Sequence, residues 1–217
     1  MLQRDYLMKM TQMLTTVLTK VLFNKEKKNY IEAEKEIESA AKTIVGLDLN
    51  LIKILNVEDV IKLMKTSDVY AGRCLISAEL LKEYGDILGE KDRINESIDI
   101  YIKSLWLYLE TMLTKELPEP EIYFDRINFL IKSLVTSGSD TNLKIKIFEY
   151  YEYSDQYSKA EDILFELVDS DAEGIKVKAL KFYERLQMKT DEELAKGNFS
   201  LEEVEESIEE INSRYSS

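Results

Sequence analysis

Gln156-Tyr157-Ser158-Lys159-Ala160 has the form of a helix opening, and the chain repeats that form twice more. The other copies are Asn29-Tyr30-Ile31-Glu32-Ala33 and Arg93-Ile94-Asn95-Glu96-Ser97. Each runs from a polar residue through a large apolar or aromatic one to a small residue. The small residues Ala33, Ser97 and Ala160 lie 64 and 63 positions apart. That spacing equals two units of a helical repeat of about 32 residues. Stacked repeat helices build extended surfaces, which bind partners more often than they run chemistry.

Composition agrees. Over the 217 residues, 45% are hydrophobic and 33% charged, which fits a soluble, folded chain with enough apolar material for a core. Only 7 Gly and 2 Pro are available for turns, too few for a sheet protein of this length. The expected class is all-α: an irregular stack of antiparallel helical hairpins with about 9–10 helices.

The net charge of −13 opposes binding to nucleic acid, where affinity comes largely from Lys and Arg. Lys25, Lys27 and Lys28 form a short basic cluster interrupted by Glu26, and it reads as a solvated helix end. Basic residues gather in positions 1–30 and acidic ones in 190–217, an asymmetry that allows head-to-tail contact between copies, so a homodimer is possible. The single cysteine, Cys74, excludes an internal disulfide and reads as a small core residue in a reducing compartment. Arg4, Asp5 and Lys9 interrupt the first apolar stretch, so neither a signal peptide nor a membrane span is expected. The expected location is the cytoplasm.

Periodicity places a first helix at about 2–27, where Leu7, Met10, Leu14, Val17 and Val21 form a core stripe. A second helix runs from Tyr30 to a stop at Gly46. Leu47-Asp48-Leu49-Asn50-Leu51 alternates like a strand but has no partner, so it reads as a loop tucked onto the core. Further helices are expected at about 57–65, 67–88, 94–115, 121–136, 142–154, 157–168 and 172–194, with Gly85 and Gly89 bracketing the end of the fourth. Ser137-Gly138-Ser139-Asp140 and Ser170-Asp171 would supply turns. Ser200 followed by Glu203 opens a last, acidic helix as a capping box. The whole chain, 1–217, reads as one helical-repeat domain, with a possible joint at 116–121 where Pro118-Glu119-Pro120 blocks helix continuation.

Two resemblances follow. With Tyr157 and Ala160 opening a second helix, Tyr151, Leu164 and Leu167 fall where the tetratricopeptide repeat (TPR) places packing residues. The middle copy supplies Tyr84-Gly85, Ser97, Tyr101 and Ser104, whereas the first has Asn24 at the aromatic position. The opening segment, Asp5-Tyr6-Leu7-Met8-Lys9-Met10 with Lys28-Asn29-Tyr30 and Gly46-Leu47-Asp48-Leu49, resembles an uncharacterised, TPR-like bacterial family, mostly from Firmicutes and known as a domain of unknown function. That resemblance covers residues 1–55 and implies a cytoplasmic all-helical protein with no assigned active site.

The residues offer little chemistry. There is no histidine for a general base, a nucleophilic triad or a Glu-x-x-His metal motif. Gly85-Asp86-Ile87-Leu88-Gly89-Glu90 lacks the Gly-Lys-Ser/Thr ending of a phosphate loop. Acidic runs at Glu32, Glu34, Glu36 and Glu38, and at Glu202, Glu203, Glu205 and Glu206, read as solvated faces rather than Mg²⁺ ligands. Trp106 and the tyrosines Tyr151 and Tyr157 read as packing, with Tyr150 and Tyr153 more open. No catalytic, cofactor-binding or metal residue is expected, and no cofactor.

The TPR resemblance implies a concave peptide groove lined by Glu79, Lys82 and Asp86 in the middle copy, and by Asn142, Glu149 and Tyr153 in the third. These residues are mixed or acidic, which suits a basic or neutral peptide. The expected function is therefore non-catalytic binding of a protein or peptide partner, with no nucleic acid and no membrane. The alternatives are a peptide-sensing regulator acting on a partner protein, and a carboxylate-metal nucleotide hydrolase.

Overall fold

A computed structural model describes residues 2–134, 140–170 and 172–214, with side chains from Asp5 onward. The expected turn at 137–139 and the cap at Asp171 lie outside the described residues. Among those described there are twelve α-helices and no strand. The chain divides into two compact units, 1–138 and 139–217.

The first unit contains α1 (Leu2–Glu26), α2 (Tyr30–Ala40), α3 (Leu49–Ile54), α4 (Val57–Met64), α5 (Tyr70–Glu90), α6 (Ile94–Thr114) and α7 (Phe124–Leu134). The second contains α8 (Thr141–Tyr153), α9 (Tyr157–Asp169), α10 (Ile175–Leu186), α11 (Asp191–Lys196) and α12 (Leu201–Arg214). The most extensively packed pairs are sequence neighbours: α5 with α6, α8 with α9, and α1 with α2.

Those three pairs are the three copies of the repeated signature, and their turns share one geometry. Lys28, Asp92 and Asp155 occupy the left-handed region with φ of 56°, 58° and 55°. The next residue, Asn29, Arg93 or Gln156, has φ near −90° and ψ near 60° before the second helix begins. Its N–H donates back across the turn, to the carbonyl of Asn24 (2.8 Å), Leu88 (2.9 Å) or Tyr151 (2.8 Å). This six-to-one bond is the one that closes a helix through a left-handed residue and satisfies a carbonyl the helix would otherwise leave unpaired. The small residues Ala33, Ser97 and Ala160 are all buried, because the second helix crosses the first there. Ser97 also donates to the Gly85 carbonyl at 2.8 Å. Asn198, with φ 55° and the Phe199 N–H bonded to the Leu194 carbonyl at 3.1 Å, repeats the turn between α11 and α12.

Two segments depart from expectation. The alternating segment at 47–51 opens a helix rather than a loop. Asp48 accepts the Asn50 N–H at 2.8 Å as its cap, and Leu49 and Ile52, three apart, are the buried residues. The end of α3 is closed by Lys103, whose ammonium donates to the carbonyls of Lys53 and Leu55. The segment at 172–194 is two helices, because Thr190 and Glu193 form a capping box that starts α11. These extra elements raise the number of helices from the expected 9–10 to twelve. As expected, the end of α5 lies beside Gly89, with the helix closing at Glu90. Gly85 is required because the Tyr101 ring lies 2.5 Å from where a Cβ would sit.

Pro118-Glu119-Pro120 breaks the helix as expected, but the segment belongs to the first unit. A 3-10 turn at Pro120–Tyr123 leads straight into α7, which packs back on α6 through buried Ile127, Leu130 and Ile131. Gly46 stops α2 in the left-handed region (φ 77°), after a π-helical turn over Ala41–Val45. Arg73 Nε donates to the Val45 carbonyl at 2.9 Å, closing that end.

Candidate functional site

A cleft of about 510 Å³ opens in the first unit between α5, α6 and α7. Its chemistry starts from one stripe of α5. Glu79, Glu83, Asp86 and Glu90 follow at intervals of four, three and four, so they share a face. Lys82 sits on the flank of the same face.

The middle of this stripe is a network with little solvent exposure. Lys25, from the last turn of α1, reaches Glu83 Oε2 and Asp86 Oδ2, both at 2.8 Å. Lys82 bonds Glu83 Oε1 at 3.1 Å and Asp86 Oδ2 at 2.9 Å. The Tyr101 hydroxyl completes it, donating to Asp86 Oδ1 at 2.7 Å. Burial works to raise the Asp86 carboxyl, but its bonds from Lys25, Lys82 and Tyr101 outweigh that and hold it below the usual range. Burial likewise works to lower Lys25, and the two carboxylates reverse the direction.

Glu79 lies beneath the cleft and is 2% exposed. Neither of its oxygens has a hydrogen bond of good geometry, and the Tyr108 hydroxyl, likewise without one, lies close enough to favour the charged carboxylate. Its counter-charge is Arg126 of α7, with Nε 3.4 Å from Oε1. Burial is the main reason its carboxyl is pushed up, and Arg126 offsets only part of the effect. Arg126 is half-exposed, so one guanidinium reaches from a buried carboxylate to the cleft wall.

The remaining wall is aromatic and acidic. Phe129 is 49% exposed, and its ring meets the edge of Tyr101 at 6.1 Å and 84°. Asp125 and Glu90 line the cleft without a cationic partner among the described residues. A second, more apolar groove of about 300 Å³ lies between α1 and the 3-10 turn, against Leu7, Met8, Thr11, Pro118 and Ile122.

The groove residues expected from sequence are therefore distributed unevenly. Lys82 and Asp86 line the cleft, whereas Glu79 does not face it and is buried behind Arg126. Asn142, Glu149 and Tyr153 belong to the second unit. There, Asn142 is exposed and Glu149 pairs with Lys178 at 2.6 Å. Tyr150, expected to be open, is fully buried. Tyr151, Tyr157, Trp106 and Cys74 are buried as expected. Burial also pushes the Cys74 thiol up to about 12, which keeps it protonated at neutral pH.

Sequence reading missed Asp125, Arg126 and Phe129. They cover one side of α7 at positions i, i+1 and i+4, opposite the apolar face of Ile127, Leu130 and Ile131. That pattern was available, but nothing in it marks a cleft until α7 folds back onto α6. Among the described residues no group of three or more Asp, Glu or Cys is placed to hold a metal ion. No described helix is long and apolar enough to cross a membrane.

Fold and cleft together define an all-helical protein of antiparallel hairpins with a charged, aromatic-walled cleft beside one of them. The chain belongs to a family of unknown function (DUF6483), whose model matches residues 1–216. No curated protein and no solved structure matches it.

Proposed function

We propose that the protein is a non-catalytic, TPR-like binding protein that recognises a peptide segment of a partner through the cleft beside the α5/α6 hairpin. The observation that supports this reading most is the cleft wall itself: an exposed Phe129 ring set among charged side chains already fixed in place by Lys25, Asp86 and Tyr101. A rigid, partly apolar surface with a few fixed polar groups loses little entropy when a peptide binds. The thrice-repeated hairpin turn supports the TPR-like part of the reading, because one supersecondary unit used several times is how repeat proteins are built.

Panning a random peptide library on the immobilised protein tests this. A consensus segment is expected, with enrichment lost on Phe129→Ala. A library that returns no consensus, from protein that still melts cooperatively, would refute the proposal.

A further inference from the structure

The cleft also carries information about what charge it accepts. Five carboxylates surround it or lie directly beneath it: Glu79, Glu83, Asp86, Glu90 and Asp125. Three cations face them: Lys25, Lys82 and Arg126. Five against three leaves a surplus of two negative charges, and the surplus stays negative even with Glu79 protonated. The three cations are already engaged, Lys25 and Lys82 with Glu83 and Asp86, and Arg126 with Glu79. An anionic ligand could reach the outer N–H groups of half-exposed Arg126, but it would meet the surplus of negative charge around them. A cationic ligand meets no such opposition.

The free groups converge on the same conclusion. Glu90 and Asp125, both exposed at the cleft, have no cationic partner among the described residues. Phe129 between them offers a ring face that attracts cations through its quadrupole. The ring already draws a cation of the chain itself, with Lys82 Nζ 5.8 Å from its centroid. Glu79, buried beneath the cleft, engages Arg126 at the cleft wall.

We infer that the cleft binds a basic side chain of a peptide, an arginine or lysine, stacked on Phe129 and paired with Asp125 and Glu90. This rests on the peptide-binding reading given above and names the chemistry of its anchor. The chain's excess of negative charge also draws such a segment in at long range.

Amide NMR titration with acetylated tetra-arginine, tetra-alanine and tetra-glutamate, and with spermidine as a free polyamine, tests the assignment. Tetra-arginine is expected to shift the amides of Tyr101, Asp125 and Phe129 saturably, and more strongly than spermidine. Phe129→Ala and Asp125→Asn, both at exposed positions, are each expected to weaken it about tenfold. Glu205→Gln on the acidic α12 is expected to leave it unchanged. Equal or tighter binding of tetra-glutamate or tetra-alanine at these amides would overturn the cationic assignment and leave peptide binding standing. Tetra-arginine binding that ignores both cleft substitutions would overturn it too. Saturable spermidine binding without any peptide binding would keep the charge preference and remove the peptide reading. No shift with any probe would remove both.

Discussion

Asp86 and Glu161 both sit low against a helical hairpin, one in each unit, and their surroundings keep them there by opposite means. Asp86 faces two ammonium groups and a phenol, and its carboxyl is held down. Glu161, on α9, accepts from two neutral hydroxyls, Tyr183 at 2.8 Å and Ser207 at 2.6 Å. Burial pushes the Glu161 carboxyl up; those hydroxyls offset part of the effect, while Glu203 and Asp162 add to it. The second unit places its ion pairs towards solvent instead, as in Arg185 with Glu152. Neutral hydroxyls suffice to bury a carboxylate that only has to tie α9 to α10 and α12. Buried counter-ions cost more desolvation, and they appear where several charges must be held in place beside a cleft.

Breaking the cationic arrangement should have the largest effect. Lys25→Ala leaves Glu83 and Asp86 with Lys82 alone, and is expected to destabilise the first unit by about 3 kcal/mol. Hydrogen exchange should show faster opening of α5 and α6 amides with little change in α8 and α9. Unchanged protection of α5 would mean the network contributes nothing to holding the helix.

The second unit should be most vulnerable at a backbone contact. A Cβ on Gly197 would overlap the Tyr157 ring and lie 2.6 Å from the Asp155 carbonyl, and the Gly197 carbonyl also accepts from Ser158. Gly197→Ala is expected to cost about 1–3 kcal/mol, because a backbone oxygen cannot turn aside as a side chain can. Thermal melts with exchange localised to α8 and α9 measure it. A neutral result would show that the turn moves freely.

The subtlest test uses pH. Glu161 holds its proton more tightly when folded, so its contribution is greatest at low pH and fades as pH rises through its raised value. Asp86 has the opposite sign, and its contribution is lost as pH falls below the ordinary aspartate value of 3.8. Relative to Glu161→Gln, the wild type should therefore lose stability as pH rises above the ordinary glutamate value of 4.5. Relative to Asp86→Asn it should hold its advantage over that range. Parallel pH profiles for the two variants would show that the carboxylates are not held differently.

What could be read from sequence divides along physical lines. The three hairpins were legible because turn, capping position and small crossing residue all lie within a few positions of one another. Ser200 with Glu203 was recognised as a helix start, and the Glu203 N–H does donate to Ser200 Oγ at 3.2 Å. Thr190 with Glu193 carries the same signal, but the apolar rhythm through 172–194 continues across the break and hides it. Lys82 and Asp86, which line the cleft, are reached from sequence only through the TPR resemblance, whose groove positions recur along α5 with helical periodicity. Glu79 shares that periodicity but not their exposure. Its burial depends on α7 folding back to place Arg126, a contact 47 positions away that no local pattern records. The cleft's other wall was illegible for the same reason.

The repeated left-handed turn has a further consequence, for the order in which the molecule forms. The best-packed helix pairs are consecutive in the chain, so most of the contacts that stabilise each hairpin close over short loops. Such local contacts form in microseconds to milliseconds, whereas a ribosome adds about 5–20 residues per second. Each pair can therefore zip shut before the next has been synthesised. Lys25 will meet Glu83 and Asp86 only after α1 and α2 have already waited, folded against each other, for seconds.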